Sequence, residues 1–382
     1  MSISGVPESR IPFRLYTHQR PERGTLEDLT DVQPTSDTLT LAAAANRLAG
    51  IAFAFVNSQA LAAAHELGVF EALRDQSMSV DELAARLGIN PVACRRLVMA
   101  LASLELVERD GERFRNSALG QFCTSRSSVN LGTVSQIDPF YHMLEHLTPA
   151  LRENGPQWQR ALGITAMDAF AALYADPARL RAFAALMNAF SLPQGRLIAE
   201  CFDFAPFTCI MDVAGGPGGQ AVEIGAKHTH LRGVIMDMEP VCVVAREYIE
   251  SRGLSGRFTA VAADLLQGPY PSGADVLILG HILHDWSDET CRKILRNCHA
   301  ALPEGGVLLI SESVLNPDFS GAGIANAKDL LMLVANESGA RERSAGEYQS
   351  LLDEAGFDLV EVLHLDAPRD LVVSRKRRRS AS

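Results

Sequence analysis

The decapeptide GHILHDWSDE, residues 280–289, sets two histidines three apart and follows them with three acids and a serine. Such a stretch suits a metal site, a proton-accepting imidazole with supporting carboxylates, or a strand that runs into a capped helix. A second constellation is MDVAGGPGGQAVEIGA from Met211, where Gly215, Gly216, Gly218 and Gly219 permit a tight turn and close backbone approach before a helix. That is the chemistry of a nucleotide cradle. Acids also stand at the ends of three successive apolar runs, as Asp212, Asp237 and Asp264. A further pattern, YHMLEH, holds His142, Glu145 and His146 in an H-x-x-E-H spacing that on one helix would offer two imidazoles to zinc. So short a pattern often arises by chance and no third ligand can be assigned to it, so zinc is not expected.

The glycine loop alone is compatible with two cofactors. Gly216 to Ala221 satisfies G-x-G-x-x-A with Asp237 about twenty residues on, as a dinucleotide site requires, and S-adenosylmethionine fits equally. The acids shift the balance. Asp212, directly before the glycines, disfavours a pyrophosphate and suits a ligand bearing an amine and a sulfonium. Asp237 is placed to accept ribose hydroxyls, and Asp264 to accept an adenine amino group. Each acid could instead cap the next helix; their joint placement favours a cationic, phosphate-free nucleoside.

The elements that must position these groups follow from the pattern of apolar runs. From Thr208, the segments TCIMDV, RGVIMD, RFTAVAAD, ADVLILG and GGVLLISES alternate with helical stretches, which predicts parallel crossovers, and FDLVEVLHL with DLVVSR closes the chain as a hairpin. The expected fold is α/β, a doubly wound Rossmann-like sheet whose ligands bind beyond the carboxyl ends of the strands. ADVLILG then delivers His281 and His284 to that edge. Ser287, Asp288 and Glu289 open a helix with Cys291, Ile294, Leu295 and Cys298 inward, and its positive end is expected to keep His284 neutral. His281 is read as pocket lining rather than a metal ligand.

Before the sheet, residues 41–73 read as helix that is apolar nearly all round and therefore needs cover, as from a partner subunit. SVDELAARLGINPVACRRLVMALASLELVERDGERFRNS follows, a winged-helix pattern with a cap at Ser79, a helix opening at Pro91 and a hairpin at Asp110-Gly111. Residues 78–124 carry six basic and six acidic side chains, so Arg95 and Arg96 lack the electrostatic footprint of DNA recognition. A dimer-forming, all-helical or winged-helix domain is expected instead. The division reads as an arm at 1–40, the dimerisation domain at 41–125, a helical linker and substrate lid at 126–200, the catalytic domain at 201–374, and a solvated basic tail at 375–382.

Composition sets the outer bounds. A net charge of −11 disfavours a polyanionic partner. Seven cysteines without a C-x-x-C pair point to reduced thiols in a cytoplasm. The run LAGIAFAFVNSQALAAAHELG is interrupted by Asn57, Ser58, Gln59, His65 and Glu66, which suits a buried helix better than a membrane span.

In DELAARLGINPVACRRLVMALASLELVER, DVAGGPGG, MDMEPV, VAADLL, HILHDWSDE, LLISES and ARERSAGEY, taken in order, the chain resembles the plant-type, metal-independent S-adenosylmethionine O-methyltransferases. This is the family of caffeate methyltransferase and of bacterial antibiotic-tailoring enzymes. The resemblance spans residues 40–374 and implies a homodimer that methylates a hydroxyl of a small aromatic metabolite. It implies His284 as base with Glu312 and Glu342 as its partners. The implied cofactor set is Asp212, Ala214, Gly215, Gly216, Gly218, Asp237, Met238, Asp264, Leu265 and Gly280, and the acceptor set is Met187, Phe190, His281 and Asp285. No metal, nucleic acid or membrane is implied. Three positions depart from the family pattern. Ala214 replaces a glycine, a change that preserves the cradle if its backbone angles are ordinary; Gly280 replaces the lysine of plant members, and Phe190 a polar residue. Relatives that methylate carbon or nitrogen keep the same motifs, and a winged-helix regulator sensing the cofactor is the alternative of another class.

Overall fold

The computed structural model describes residues 39–127, 130–135, 138–316, 318 and 323–378. The arm expected at 1–40 and the end of the basic tail lie almost wholly outside them.

Residues 1–55 and 56–382 form two compact units. The described part of the first is essentially α1 (Leu41–Ala52), where the Thr40 hydroxyl accepts the Ala43 N–H as an N-cap. The helix expected over 41–73 is divided: α2 (Ala54–Glu66) begins after Phe53, and α3 (Val69–Ala72) after Gly68, whose φ of +76° suits glycine. α1 buries no residue and α2 only Ala64, while Leu41, Leu48, Ile51, Phe55 and Val56 are exposed. Among the described residues of the single chain these helices are uncovered, and the cover expected for them is that of a partner subunit. By length and composition, residues 41–66 are apolar enough to cross a membrane.

In the second unit, β1 (Met78–Ser79) leads into α4 (Val80–Leu87), which opens with a capping box between Ser79 and Glu82. α5 (Pro91–Ser103) starts at a proline whose missing N–H needs no partner there, with the Asn90 side chain accepting the next two N–H groups. β2 (Val107–Asp110) and β3 (Arg113–Asn116) pair antiparallel around Gly111, and α6 (Ala118–Gln121) follows. Phe70, Leu83, Val98, Leu101 and Phe114 fill the core beneath.

Five helices come next: α7 (Asp138–Leu144), α8 (Leu147–Glu153), α9 (Trp158–Leu162), α10 (Ala166–Ala175) and α11 (Pro177–Cys201). α7 ends at Leu144 and His146 is the N-cap of α8, so the H-x-x-E-H pattern straddles a junction instead of lying on one helix. α11 is capped by Asp176 and contains Pro193. At Gly195 a Cβ would come within 2.8 Å of the Gln220 backbone, which identifies a close helix crossing.

The sheet consists of β4 (Cys209–Val213), β5 (Arg232–Asp237), β6 (Phe258–Ala262), β7 (Val276–Gly280) and β8 (Val307–Glu312), all parallel, with α12 (Gly219–Lys227), α13 (Glu239–Ser251) and α14 (Asp288–Ala301) among the crossovers. β9 (Val314–Leu315), α15 (Gly323–Ala335), β10 (Arg343–Ser344) and α16 (Ala345–Glu354) precede the antiparallel hairpin of β11 (Phe357–Leu363) and β12 (Asp370–Lys376). The order is β11-β12-β8-β7-β4-β5-β6. Both faces are covered by apolar clusters, as parallel strands require. β4 and β7 lie side by side and parallel at the point where the strand order switches from one side of β4 to the other, so the glycine loop and the 280–289 segment emerge side by side at the carboxyl edge.

Candidate active site

The cradle lies between β4 and α12. Asp212 is 3% exposed, and a Cβ on Gly215 would sit 2.5 Å from its carboxyl carbon. Gly218 has φ +89° and lies so close to Ile235 that a Cβ would come within 2.7 Å of it. Gly216 has φ +58°, and Ala214 shares this region at φ +54°. The condition of ordinary angles at Ala214 is thus not met: the alanine occupies a glycine conformation, where its Cβ crowds the backbone.

The strand-end acids hold loops. Asp237 accepts N–H bonds from Gly216 at 2.8 Å and Met238 at 2.7 Å, tying the cradle to β5. Asp264 accepts from the Leu266 N–H at 2.7 Å and the Gln267 amide at 3.1 Å. Met238 is partly exposed at the head of α13, and the Leu265 side chain packs on the core while its carbonyl receives the Tyr270 hydroxyl. At Gly280 a Cβ would meet the Gln220 side-chain amide at 2.4 Å, so the missing side chain makes room for Gln220. Burial, with the charge of Asp237 adding to it, pushes Asp212 up to about 7 despite the Ala221 N–H and Arg369. Burial also raises Asp237, against the N–H groups of Met238 and Gly216. A cationic nucleoside fits this cradle: Gly216 leaves open space where a Cβ would stand, and the ligand's charge relieves two carboxylates that burial drives toward protonation.

His284 sits in the turn Leu283–Asp285 after β7, and two buried side chains fix that turn. Glu312, the last residue of β8, accepts the N–H groups of Ile282 at 2.8 Å and Leu283 at 3.0 Å. Arg343, with no exposed surface, donates to the carbonyls of Leu283 and Trp286 and to Asp288, each at 2.8 Å. The imidazole Nδ1 lies 2.9 Å from Glu342 Oε1 and 3.5 Å from Glu312 Oε2, and Nε2 lies 3.4 Å from Asp285 Oδ1. Lys328 Nζ lies 3.1 Å from Glu342 and donates to Ser313 Oγ at 2.8 Å. Asp285 in turn accepts from the Asn336 amide at 2.7 Å.

Burial opposes charge on His284, yet Glu312, Asp285 and Glu342 outweigh it and push the imidazole up to about 9. The neutral His284 expected from the nearby helix end is therefore corrected. A helix terminus carries about half a charge, whereas three carboxylates lie within 3.5 Å. Asp285 keeps some exposed surface, but loss of solvent raises it to about 6 against the pull of His284. Burial also resists ionisation of Glu342, and the bonds to His284 and Lys328 reverse this to leave it below its usual value.

His281 stacks on His284 with centroids 5.0 Å apart, and the Phe190 ring faces His281 at 6.0 Å. Burial and the charges of Arg369, His284 and Lys328 hold His281 well below the ordinary histidine value. It is a neutral ring on a strained backbone, φ +59°. Met187 is half-buried on α11, one turn before Phe190. His284, Glu312 and Glu342 offer ligand atoms within 4.8 Å of one another, a spacing a cation could use; Lys328 already supplies positive charge to that cluster.

Arg343, Lys328, Asn336, Gln220 and Arg369 were not singled out by the motifs. Arg343 alone carried a signal, as the basic half of ARER.

Comparison with known proteins completes the picture. An O-methyltransferase domain profile matches residues 144–358, and an O-methyltransferase dimerisation domain profile matches residues 49–126. The 3-hydroxy-5-methyl-1-naphthoate 3-O-methyltransferase of Streptomyces sahachiroi is 33% identical over 329 residues, 84% of this chain and 92% of that one. The N,N-dimethyltransferase OxyT of Streptomyces rimosus is 33% identical over 342 residues, 87% and 96% of the two chains. The structure of human N-acetylserotonin methyltransferase with S-adenosylmethionine superposes with a TM-score of 0.81 at 27% identity, covering 91% of this chain and all of that one. Fold and cradle thus define an S-adenosylmethionine-dependent methyltransferase. The chain belongs to the O-methyltransferase family, with a dimerisation domain ahead of its catalytic domain.

Proposed function

We propose that the enzyme methylates a hydroxyl of a small aromatic metabolite, with His284 as general base. The observation that carries this is the 2.9 Å contact between Nδ1 and Glu342, which makes Nδ1 the donor and leaves Nε2 to accept the acceptor's proton. Glu342 orients the ring and stabilises the imidazolium, Glu312 positions the turn, and Asp285 with its Asn336 contact flanks Nε2. Asp212, Ala214, Gly215, Gly216, Gly218, Asp237, Met238, Asp264, Leu265 and Gly280 hold S-adenosylmethionine. When bound, that cofactor supplies an electrophilic methyl group and a positive charge that weakens the hold of His284 on its proton. Phe190, His281 and Met187 provide a ring-lined wall for the acceptor, and residues 126–200 close over it. Homologues that act on naphthoate and acetylserotonin support an aromatic acceptor.

A homodimer is supported by the match to a dimerisation domain and by the exposed apolar surface of α2. Seven free thiols, six of them buried, support a reducing cytoplasm. His284→Ala is expected to lose turnover on the order of a hundredfold to ten-thousandfold while S-adenosylhomocysteine affinity, measured by calorimetry, is kept. Unchanged turnover on a panel of phenols excludes His284 as base. N-methylation is the second reading, favoured by the similarity to OxyT. Mass spectrometry of reactions with matched phenols and anilines separates the two.

A further inference from the structure

Arg369 stands in the turn entering β12, beside the end of β8, where Asp370 registers against Glu312. Its side chain is 3% exposed. One terminal nitrogen, Nη2, donates to the Phe190 carbonyl of α11, and the Arg369 carbonyl accepts from the Gln194 amide at 3.2 Å. These bonds dock the turn on α11. The other terminal nitrogen, Nη1, has no hydrogen-bond partner among the described residues. Buried N–H groups of a guanidinium are rarely left unmade, because nothing repays their lost hydration.

The charges around it say what the group awaits. Arg369 is attracted by Glu312, Asp212 and Glu342, and it disfavours a proton on His281. It therefore lies between the base cluster and the cradle. The acids assigned to the cofactor, Asp212, Asp237 and Asp264, suit an ammonium, a sulfonium and an adenosine, but all repel a carboxylate. The amino-acid end of S-adenosylmethionine carries one. Other cations near the base cluster and the glycine loop are engaged: Lys328 with Glu342, and Arg181, which lines a hollow with Pro217, with Glu247.

We propose that Arg369 is the receptor for the carboxylate of the cofactor's amino-acid end, binding it through Nη1 opposite Asp212. The inference rests on S-adenosylmethionine being the cofactor. A carboxylate on the acceptor is the other source of the same chemistry, and the experiment separates them. Because Nη2 remains on Phe190, the guanidinium is held in place before the ligand arrives, which a lysine would not achieve.

Calorimetry tests this on the full-length protein. The unaltered enzyme should bind S-adenosylhomocysteine roughly tenfold to a hundredfold more tightly than its decarboxylated analogue, which keeps the amine and thioether. Arg369→Gln should abolish that preference while leaving the affinity for 5′-methylthioadenosine unchanged, which also reports a folded cradle. Arg369→Lys should recover only part of it. Equal affinities in the unaltered protein overturn the proposal without any variant. Equal loss for all three ligands in Arg369→Gln also overturns it, since the arginine then only supports the fold. An Arg369→Gln effect seen in the KM of acid-bearing phenols and absent from S-adenosylhomocysteine assigns the guanidinium to the acceptor and overturns it as well. If the unaltered protein binds none of the three, the cofactor reading fails and carries the proposal with it.

Discussion

At the ends of β4 and β5, Asp212 and Asp237 share a buried cradle, repel one another, and are both raised toward protonation. At the ends of β7 and β8, a few residues along the same sheet edge, His284 and Lys328 stand against Glu342 and hold it ionised, while three carboxylates hold the imidazole charged. Burial is comparable in the two regions, so burial alone does not decide the outcome. What differs is the supply of positive charge. The base cluster carries its own cations, whereas the cradle is an acid surplus that a cationic ligand completes.

That contrast can be attacked from either side. The largest effect is expected from Glu342→Gln. It removes one of the carboxylates that raise His284 and lets an amide N–H face Nδ1, which selects the wrong tautomer. Turnover should fall on the order of a hundredfold, and the pH limb of kcat/KM should move to lower pH. A fall in turnover with an unmoved limb would mean that Glu342 only packs against the ring.

A smaller effect is expected on the cradle side. S-adenosylmethionine should bind the ionised form of Asp212, whose carboxyl in the free protein is pushed up to about 7. Affinity should therefore hold above pH 7 and fall by up to about tenfold per unit below it, with a proton released on binding. Calorimetry in buffers of different ionisation enthalpy reads that proton. In Asp212→Asn the proton release should disappear; if it persists, the acid surplus lies elsewhere.

The smallest effect concerns Ala214. Its φ of +54° costs about 1–2 kcal/mol, and Ala214→Gly relieves this while adding about 0.4–1 kcal/mol of unfolded-chain entropy. A net gain of about 1 kcal/mol or less is expected, seen as a slightly higher Tm with cofactor affinity unchanged. A lower Tm would show that the surrounding loop accommodates the Cβ without strain.

The sheet was legible because parallel strands buried on both faces read as unbroken apolar runs, and Ser79, Asn90 with Pro91, and Ser287 mark helix starts by local chemistry. The inward set Cys291, Ile294, Leu295 and Cys298 followed from helical spacing alone. Glu312 and Glu342 were legible only through resemblance, since nothing local brings residues 28 and 58 positions beyond His284 to its ring. The charge of His284 was misread because a helix end is a local signal and three converging carboxylates are a tertiary one. Arg369 and Lys328 sit in segments without a motif, and their value arises from what the fold places beside them. The apolar helices were recognised, but not the break at Phe53, because Gly50 lies inside α1 and neither glycine nor proline stands at the break itself.

The central claim is that His284, charged by its carboxylates in the free enzyme, must lose a proton to act as base. The pH dependence of kcat/KM tests it most directly, because that ratio reports groups of the free enzyme. The value should rise about tenfold per pH unit through neutrality and level off near pH 9, where the imidazole of the free enzyme becomes neutral. A profile already flat between pH 6 and 9 would contradict it.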